Sequence, residues 1–311
     1  MKWTAANMKS QSGKTALITG ANSGIGYQAA LELARAGAHV LLGVRSVAKG
    51  DEAVARIRAA VPAASVEVVS LDVASLSSIR SFVENYASRG VALDILVNNA
   101  GVMALASREL TVDGFEKQFG TNHLGHFALT GLLLPQLLAS RAAEAPRVVT
   151  VASLAHRGGK LAWDNLQLEQ GYTAWDAYNN SKLANILFAR ELDKRARAVN
   201  SRLVSIPVHP GVSKTNILQN GLAGKDLKSV LLSLFGGPLM QDDAQGALPT
   251  LYAATVPEAR GGDYIGPDGL LEFKGYPKVV GVKPNALDDL AATKLWDASE
   301  KLTGVVYPPL A

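Results

Sequence analysis

Apolar positions along the chain switch period repeatedly, from unbroken β-rich runs to helical stripes, with glycine or polar turns between them. "KTALITG" (residues 14–20) is a short continuous apolar run and predicts a first, fully buried strand. In "GYQAALELARAG" (26–37), Ala29, Ala30, Leu33 and Ala34 recur at helical spacing, and Gly37 is the stop. The couplet repeats with strand "AHVLLGVR" (38–45), a charged helix through Glu52, Ala53, Ile57 and Ala60 ending before Pro62, and strand "VEVVSLDV" (66–73). Helix "SIRSFVENYASRG" (78–90) leads to strand "LDILVNNAG" (93–101), and a long helix over 115–138 leads to strand "RVVTVAS" (147–153). The helix over 177–195 leads to strand "RLVSIPVHPG" (202–211). Near the end, "GGDYIGPDGLLEFKG" (261–275) predicts a seventh strand, and 286–304 a last helix burying Leu287, Leu290, Leu295 and Leu302.

Strands that alternate with helices predict an α/β fold. Its expected form is a Rossmann-type, doubly wound parallel sheet of about seven strands, flanked by helices on both faces. No Pro-, Gly- or Ser-rich linker, low-complexity tract or further repeat divides the chain, so residues 1–311 read as a single domain.

Composition narrows the function classes. The 311 residues are 48% hydrophobic and 19% charged, enough for a large core. Lys and Arg number 31 against 27 Asp and Glu, a net charge of +4 with the basic residues scattered among acids, which argues against nucleic acid as a partner. The absence of cysteine removes disulfides, thiolate metal sites and cysteine nucleophiles. "MKWTAANMKSQSGK" lacks the apolar core of a signal peptide, and no apolar run approaches the roughly eighteen residues of a membrane span. A cytoplasmic protein with no transmembrane segment is expected.

Candidate chemistry lies where strands run into helices. The first strand enters "TGANSGIG", with Gly20, Gly24 and Gly26 at the mouth of a helix. Glycines there let backbone approach a pyrophosphate, and the helix start offers amide donors. Where an NAD-binding fold of this type places an acid for the ribose 2′-hydroxyl, the second strand has Val44 followed by Arg45, a residue suited to a 2′-phosphate. Asp72 closes the third strand, and Asn98, Asn99, Ala100 and Gly101 the fourth, at the strand ends where open α/β sheets bind ligands.

Tyr178 and Lys182, four apart, share one helical face. A free phenol titrates near pH 10, and a neighbouring ammonium favours the phenolate, so the pair has the makings of an acid/base and its tuner. Ser153 ends the fifth strand, where its hydroxyl could donate to a carbonyl oxygen, and Asn122 is an amide inside an apolar helix that must find partners. His123, His126 and His156 have no carboxylate or thiol at metal-ligand spacing, and no metal site is expected.

"TGANSGIG", "NNAG", Asn122, Ser153, "YNNSK" and "HPG" stand in the order and approximate spacing of the short-chain dehydrogenase/reductase family, over residues 14 to about 215, and the glycine spacing resembles the family's classical branch. The resemblance implies a catalytic set of Asn122, Ser153, Tyr178 and Lys182. Tyr178 would exchange a proton with the substrate oxygen, Ser153 orient that oxygen, Lys182 hold the nicotinamide ribose, and Asn122 position a relay water. It likewise implies an NADP(H) site formed by Gly20, Asn22, Ser23, Gly24, Ile25, Gly26, Arg45, Asp72, Val73, Asn99, Ala100 and Gly101. Tyr178, Lys182, Pro210, Gly211, Val212 and Thr215 would complete that site.

"GVRSVAKG", "TVDGFEKQFGTNHLGHFALT" and the long stretch between Ser153 and Tyr178 look most like the retinol dehydrogenase and WW-domain oxidoreductase branch. By the same resemblance, residues at about 213–240 form a lid over the substrate, and Leu227, Val230, Leu231 and Leu234 at helical spacing either line it or pack on the body or a second subunit. The expected partners are a hydrophobic alcohol or carbonyl compound and, by family habit, copies of the same chain in a homodimer or homotetramer. The rival expectation is a catalytically idle nucleotide sensor that binds a protein partner, for which a tuned phenol has no use.

Overall fold

The computed structural model describes residues 2–212 and 241–311. One eight-stranded sheet runs through the molecule in the order β3-β2-β1-β4-β5-β6-β7-β8. Its strands are β1 (Thr15–Thr19), β2 (His39–Val44), β3 (Val66–Ser70), β4 (Ile95–Asn98), β5 (Arg147–Val151), β6 (Val204–Val208), β7 (Ile265–Pro267) and β8 (Pro277–Val279). β1 to β7 are parallel, with Leu17 opposite Leu41 on one side and Leu96 on the other; β8 turns back antiparallel on β7. The chain builds outward from β1 to β3, then restarts at β4 on the other side of β1. That reversal opens a crevice at the carboxyl ends of β1 and β4, the usual ligand position in such sheets.

Residues alternate between the two faces of a strand. Ala16 and Ile18 of β1 therefore join one core with α1 (Gly24–Arg35) and α2 (Val47–Ala60), while Leu17 joins the opposite core with α3 (Leu76–Ala87). The central strands are mostly apolar because both of their faces are covered, whereas the edge strands β3 and β8 carry exposed positions.

Two expectations need correction, the long helix and the buried leucines of the last helix, and an eighth strand and one helix add to the expected elements. The long helix over 115–138 is broken into α4 (Lys117–Phe119), a wide π-type turn (Gly120–Leu124), α5 (Gly125–Leu132) and α6 (Leu134–Leu138). The sheet has eight strands, because the turn after β7 folds Pro277–Val279 back onto it. A helix that periodicity did not mark, here α8 (Asp243–Thr255), follows the undescribed segment; its N-cap Asp242 accepts from the Gln245 amide. Leu287 and Leu290 are exposed, because the last helix, α9 (Asp289–Thr303), begins only after its cap Asp288 and turns Ala292, Leu295, Trp296 and Ser299 inward. Leu290 then lies on the outer face.

α7 (Ala174–Ala198) carries Tyr178 and Lys182 and is the longest described helix; its N-cap Thr173 accepts from the Asp176 amide. No described helix is long and apolar enough to cross a membrane. Thr215 and the expected lid at about 213–240 lie outside the described residues.

Candidate active site

β1 ends in Thr19, and the next turn is shaped by glycine. Gly20 and Gly24 hold φ of 68° and 59°, angles that an L side chain rarely adopts. A Cβ on Gly26 would lie 2.5 Å from Asn99 Nδ2, so α1 can approach β4 only without a side chain there. Ser23, the N-cap of α1, makes no capping bond with its own side chain. The amides at the start of this 12-residue helix face the crevice with a positive dipole end behind them, an arrangement that fits a pyrophosphate. Ile25 is buried beneath the turn.

Arg45 follows the last residue of β2 and is exposed at the rim, and Ser46 caps α2. A second guanidinium, which the sequence reading did not single out, stands by the glycine turn. Arg56 of α2 donates to the Asn22 carbonyl at 2.9 Å and lies 4.2 Å from the Tyr27 ring centre. Asp72 turns its carboxylate to the Ala74 amide at 2.9 Å. Val73 is buried with its carbonyl against α5, so closely that a Cβ on Gly125 would overlap it.

The loop after β4 is tied to β1 through one hydroxyl. Thr19 Oγ1 accepts from the Asn99 and Ala100 amides, each at 2.9 Å, and lies 2.9 Å from His126 Nε2. His126 Nδ1 faces the Asn122 carbonyl at 3.0 Å, which can only accept, so Nδ1 carries the ring hydrogen and Nε2 accepts. The single Thr19 hydrogen therefore goes to His126, rather than to the Val97 carbonyl at 3.3 Å. Burial holds His126 neutral, its pKa lowered to about 4.

The π-type turn places Asn122 on this chain of bonds; such turns recur at functional sites. Its side chain pairs with the Val102 backbone, Oδ1 accepting at 2.8 Å and Nδ2 donating at 3.0 Å, and Nδ2 also reaches Ser181 Oγ at 2.9 Å. Gly101 sits where a Cβ would be 3.0 Å from Asn122 Oδ1 and 3.8 Å from Lys182 Nζ. The structure thus brings Asn122, Gly101 and Lys182 together. It shows no direct bond between Asn122 and Lys182: the side-chain amide holds the loop after β4, and the carbonyl accepts from His126 with a second lone pair left over.

Lys182 Nζ donates to the Val151 carbonyl at 3.0 Å, which also accepts from Asn185 at 3.1 Å. Burial lowers its pKa to about 8. Nζ lies 5.7 Å from the centre of the Tyr178 ring. Tyr178 is almost wholly buried, with Ser153 near enough to its hydroxyl to act on it, and Ser153 Oγ accepts from the Ala155 amide at 3.2 Å. Burial raises the phenol to about 12, and the Ser153 hydroxyl offsets only part of that. The expected lowering by Lys182 is absent, because burial disfavours phenolate and ammonium alike and the amine is turned to Val151.

On the far side, Pro210, Gly211 and Val212 follow β6. Val212 N–H donates to the Phe273 carbonyl at 2.7 Å, and the Val212 carbonyl accepts from the Gln241 amide at 3.0 Å. Among the described residues, no group of three or more His, Asp or Glu side chains is placed to hold a metal ion. Thr19, Arg56 and His126 had no signal beyond their residue type, since their partners stand 29 or more positions away along the chain, the Asn122–His126 contact excepted.

Residues 14–225 match the model of the family described as short chain dehydrogenase. Human retinol dehydrogenase 14 is 38% identical over 94% of this chain and 87% of its own length. Mouse retinol dehydrogenase 12 is 40% identical over 95% and 88%. Among solved structures, an uncharacterized protein from Mycobacterium paratuberculosis superposes with a TM-score of 0.79 at 41% identity, covering 99% of this chain and all, 100%, of that one. A Beutenbergia cavernae protein described as an NAD(P) dependent gluconate 5-dehydrogenase, with bound NADP at low occupancy, superposes with a TM-score of 0.63 at 26% identity, over 82% of this chain and 95% of that one.

Proposed function

The chain belongs to the short chain dehydrogenase family, and from that premise we propose that it is an NADP(H)-dependent oxidoreductase acting on a hydrophobic alcohol or carbonyl compound. The observation that carries this reading is the pair of buried side chains Tyr178 and Lys182 on α7, with half-buried Ser153 following β5 and Lys182 bonded to Val151 at the end of that strand.

Gly20, Asn22, Ser23, Gly24 and Gly26 would hold the pyrophosphate and Arg45 the 2′-phosphate. Asn99, Ala100, Gly101 and Pro210–Val212 would line the rest of the cofactor site, and bound there the nicotinamide supplies or accepts the hydride. A phenol at about 12 is protonated throughout the neutral range, so Tyr178 stands ready to donate to a substrate oxygen as it becomes an alkoxide. Ser153, which acts on that phenol, would orient the same oxygen. Lys182, at about 8, is mostly ammonium at pH 7 and adds positive charge where oxygen charge develops. These states favour carbonyl reduction. The retinol dehydrogenases named above support a bulky apolar substrate.

The test is NADPH oxidation, with NADH in parallel, against small and bulky aldehydes and ketones including retinal and a steroid ketone. Tyr178→Phe should lose at least about 100-fold in turnover while keeping NADPH affinity. Turnover that survives this substitution assigns the proton to another group.

A further inference from the structure

Leu271 and Glu272 take left-handed backbone angles, φ of 52° and 61°, in the short turn between β7 and β8. A residue with a Cβ persists there only when its surroundings over-determine it. Glycine would take both angles freely, so what Glu272 adds is its carboxylate.

That carboxylate reaches two segments at once. Glu272 Oε2 lies 3.0 Å from His209 Nε2, and Oε1 lies 2.9 Å from Arg157 Nη2. His209 is fully enclosed, and its Nδ1 accepts from the Gly211 amide at 3.2 Å, so the ring hydrogen is on Nε2 and is donated to Glu272. Gly266 of β7 leaves the space the ring fills, since a Cβ there would overlap Nε2. Arg157 lies on the short 3₁₀ helix Leu154–Gly158, whose N-cap is Ser153. The backbone repeats the link: Val212 N–H donates to the Phe273 carbonyl, and Gly211, at φ 70°, passes so close to that carbonyl that a Cβ would overlap it.

We propose that Glu272 is a positioning residue, which locks the Ser153 turn and the His209–Val212 segment into one rigid wall on the nicotinamide side of the site. The proposal rests on the dehydrogenase reading above. Glu272 acts through His209 and Arg157 and touches neither reactant.

Glu272→Gly tests it, because glycine accepts the backbone angle while deleting the carboxylate. NADPH and adenosine 2′,5′-bisphosphate, which lacks the nicotinamide half, are titrated against wild type and variant, and turnover of an aldehyde that the wild type reduces is measured. The variant should melt cooperatively and bind the bisphosphate as the wild type does. It should bind NADPH more weakly and lose roughly ten- to a hundredfold in kcat, the range a small misplacement of reacting groups produces. Glu272→Gln, which still offers an oxygen to His209, should restore most of that loss. If Glu272→Gly melts early, Glu272→Asn carries the same comparison, since asparagine tolerates left-handed angles but is too short to reach His209. Wild-type kcat and NADPH affinity in the folded variant would overturn the proposal, as would equal weakening of both ligands. A wild type that binds neither ligand overturns the dehydrogenase reading itself, and the proposal with it.

Discussion

Replacing Thr19 with valine keeps the shape of a buried β1 side chain and removes one oxygen. That oxygen serves three groups: it donates to His126 Nε2 and accepts from the Asn99 and Ala100 amides, all at 2.9 Å. His126 is almost wholly enclosed, so its nitrogen would lose its partner without access to water, at about 1–3 kcal/mol. The two amides belong to half-buried residues and can recruit water, so each loses the smaller net value of about 0.5–1.5 kcal/mol. Together these set an expectation of about 4 kcal/mol for Thr19→Val, or a melting point lowered by roughly 8–16 °C in a chain this large. Thr19→Ser keeps the hydroxyl, loses one methyl and should cost about 1 kcal/mol. Differential scanning calorimetry and urea titration of the cofactor-free variants measure both. If valine costs no more than serine, the hydroxyl is not the knot joining β1, the loop after β4 and the π-type turn, and the tautomer assigned to His126 falls with it.

Arg45→Ala should weaken NADPH by about 1.5–3 kcal/mol, the value of a charged hydrogen bond, and NADH far less; equal losses in parallel fluorescence titrations would remove Arg45 from the 2′-phosphate site. Lys182 titrates at about 8 when folded, against 10.5 for an ordinary lysine, so between these pH values the unfolded chain binds the extra proton and stability rises with pH. Wild type should therefore gain up to about 3 kcal/mol on Lys182→Met between pH 8 and 10, and parallel urea stability curves over that window would show the environment of Lys182 to be wrong. Gly125→Ala adds a good helix former, worth about 1 kcal/mol, yet its Cβ would overlap the Val73 carbonyl, and overpacking of that kind costs about 1–3 kcal/mol. A net loss of stability is expected by calorimetry; a gain would mean that α5 and Val73 are not in close contact.

Local pattern made the sheet legible. Buried parallel strands are continuous apolar runs, helices carry stripes such as Ala29, Ala30, Leu33 and Ala34, and the glycines of the first turn answer to angles that only glycine adopts easily. The family resemblance named the glycine turn, Ser153, Tyr178 and Lys182, and the fold sets the turn after β1, Ser153 after β5 and Lys182 against Val151, all at the carboxyl-end side of the sheet. The expectations that failed depended on something non-local. Leu290 is apolar in sequence yet outward in space, because the register of α9 is set by Asp288 and by what Trp296 packs against. β8 exists only because the strained turn at Leu271 and Glu272 folds it back onto β7.

Charge state is the clearest division between the two levels. Sequence placed an ammonium four residues from a phenol and so predicted a lowered phenol. Only the tertiary structure decided that both groups are desolvated, that Lys182 spends its hydrogen bond on Val151, and that the phenol rises to about 12. A pKa depends on the field and solvent at one point in space, and the chain segments that set both arrive from far along the sequence.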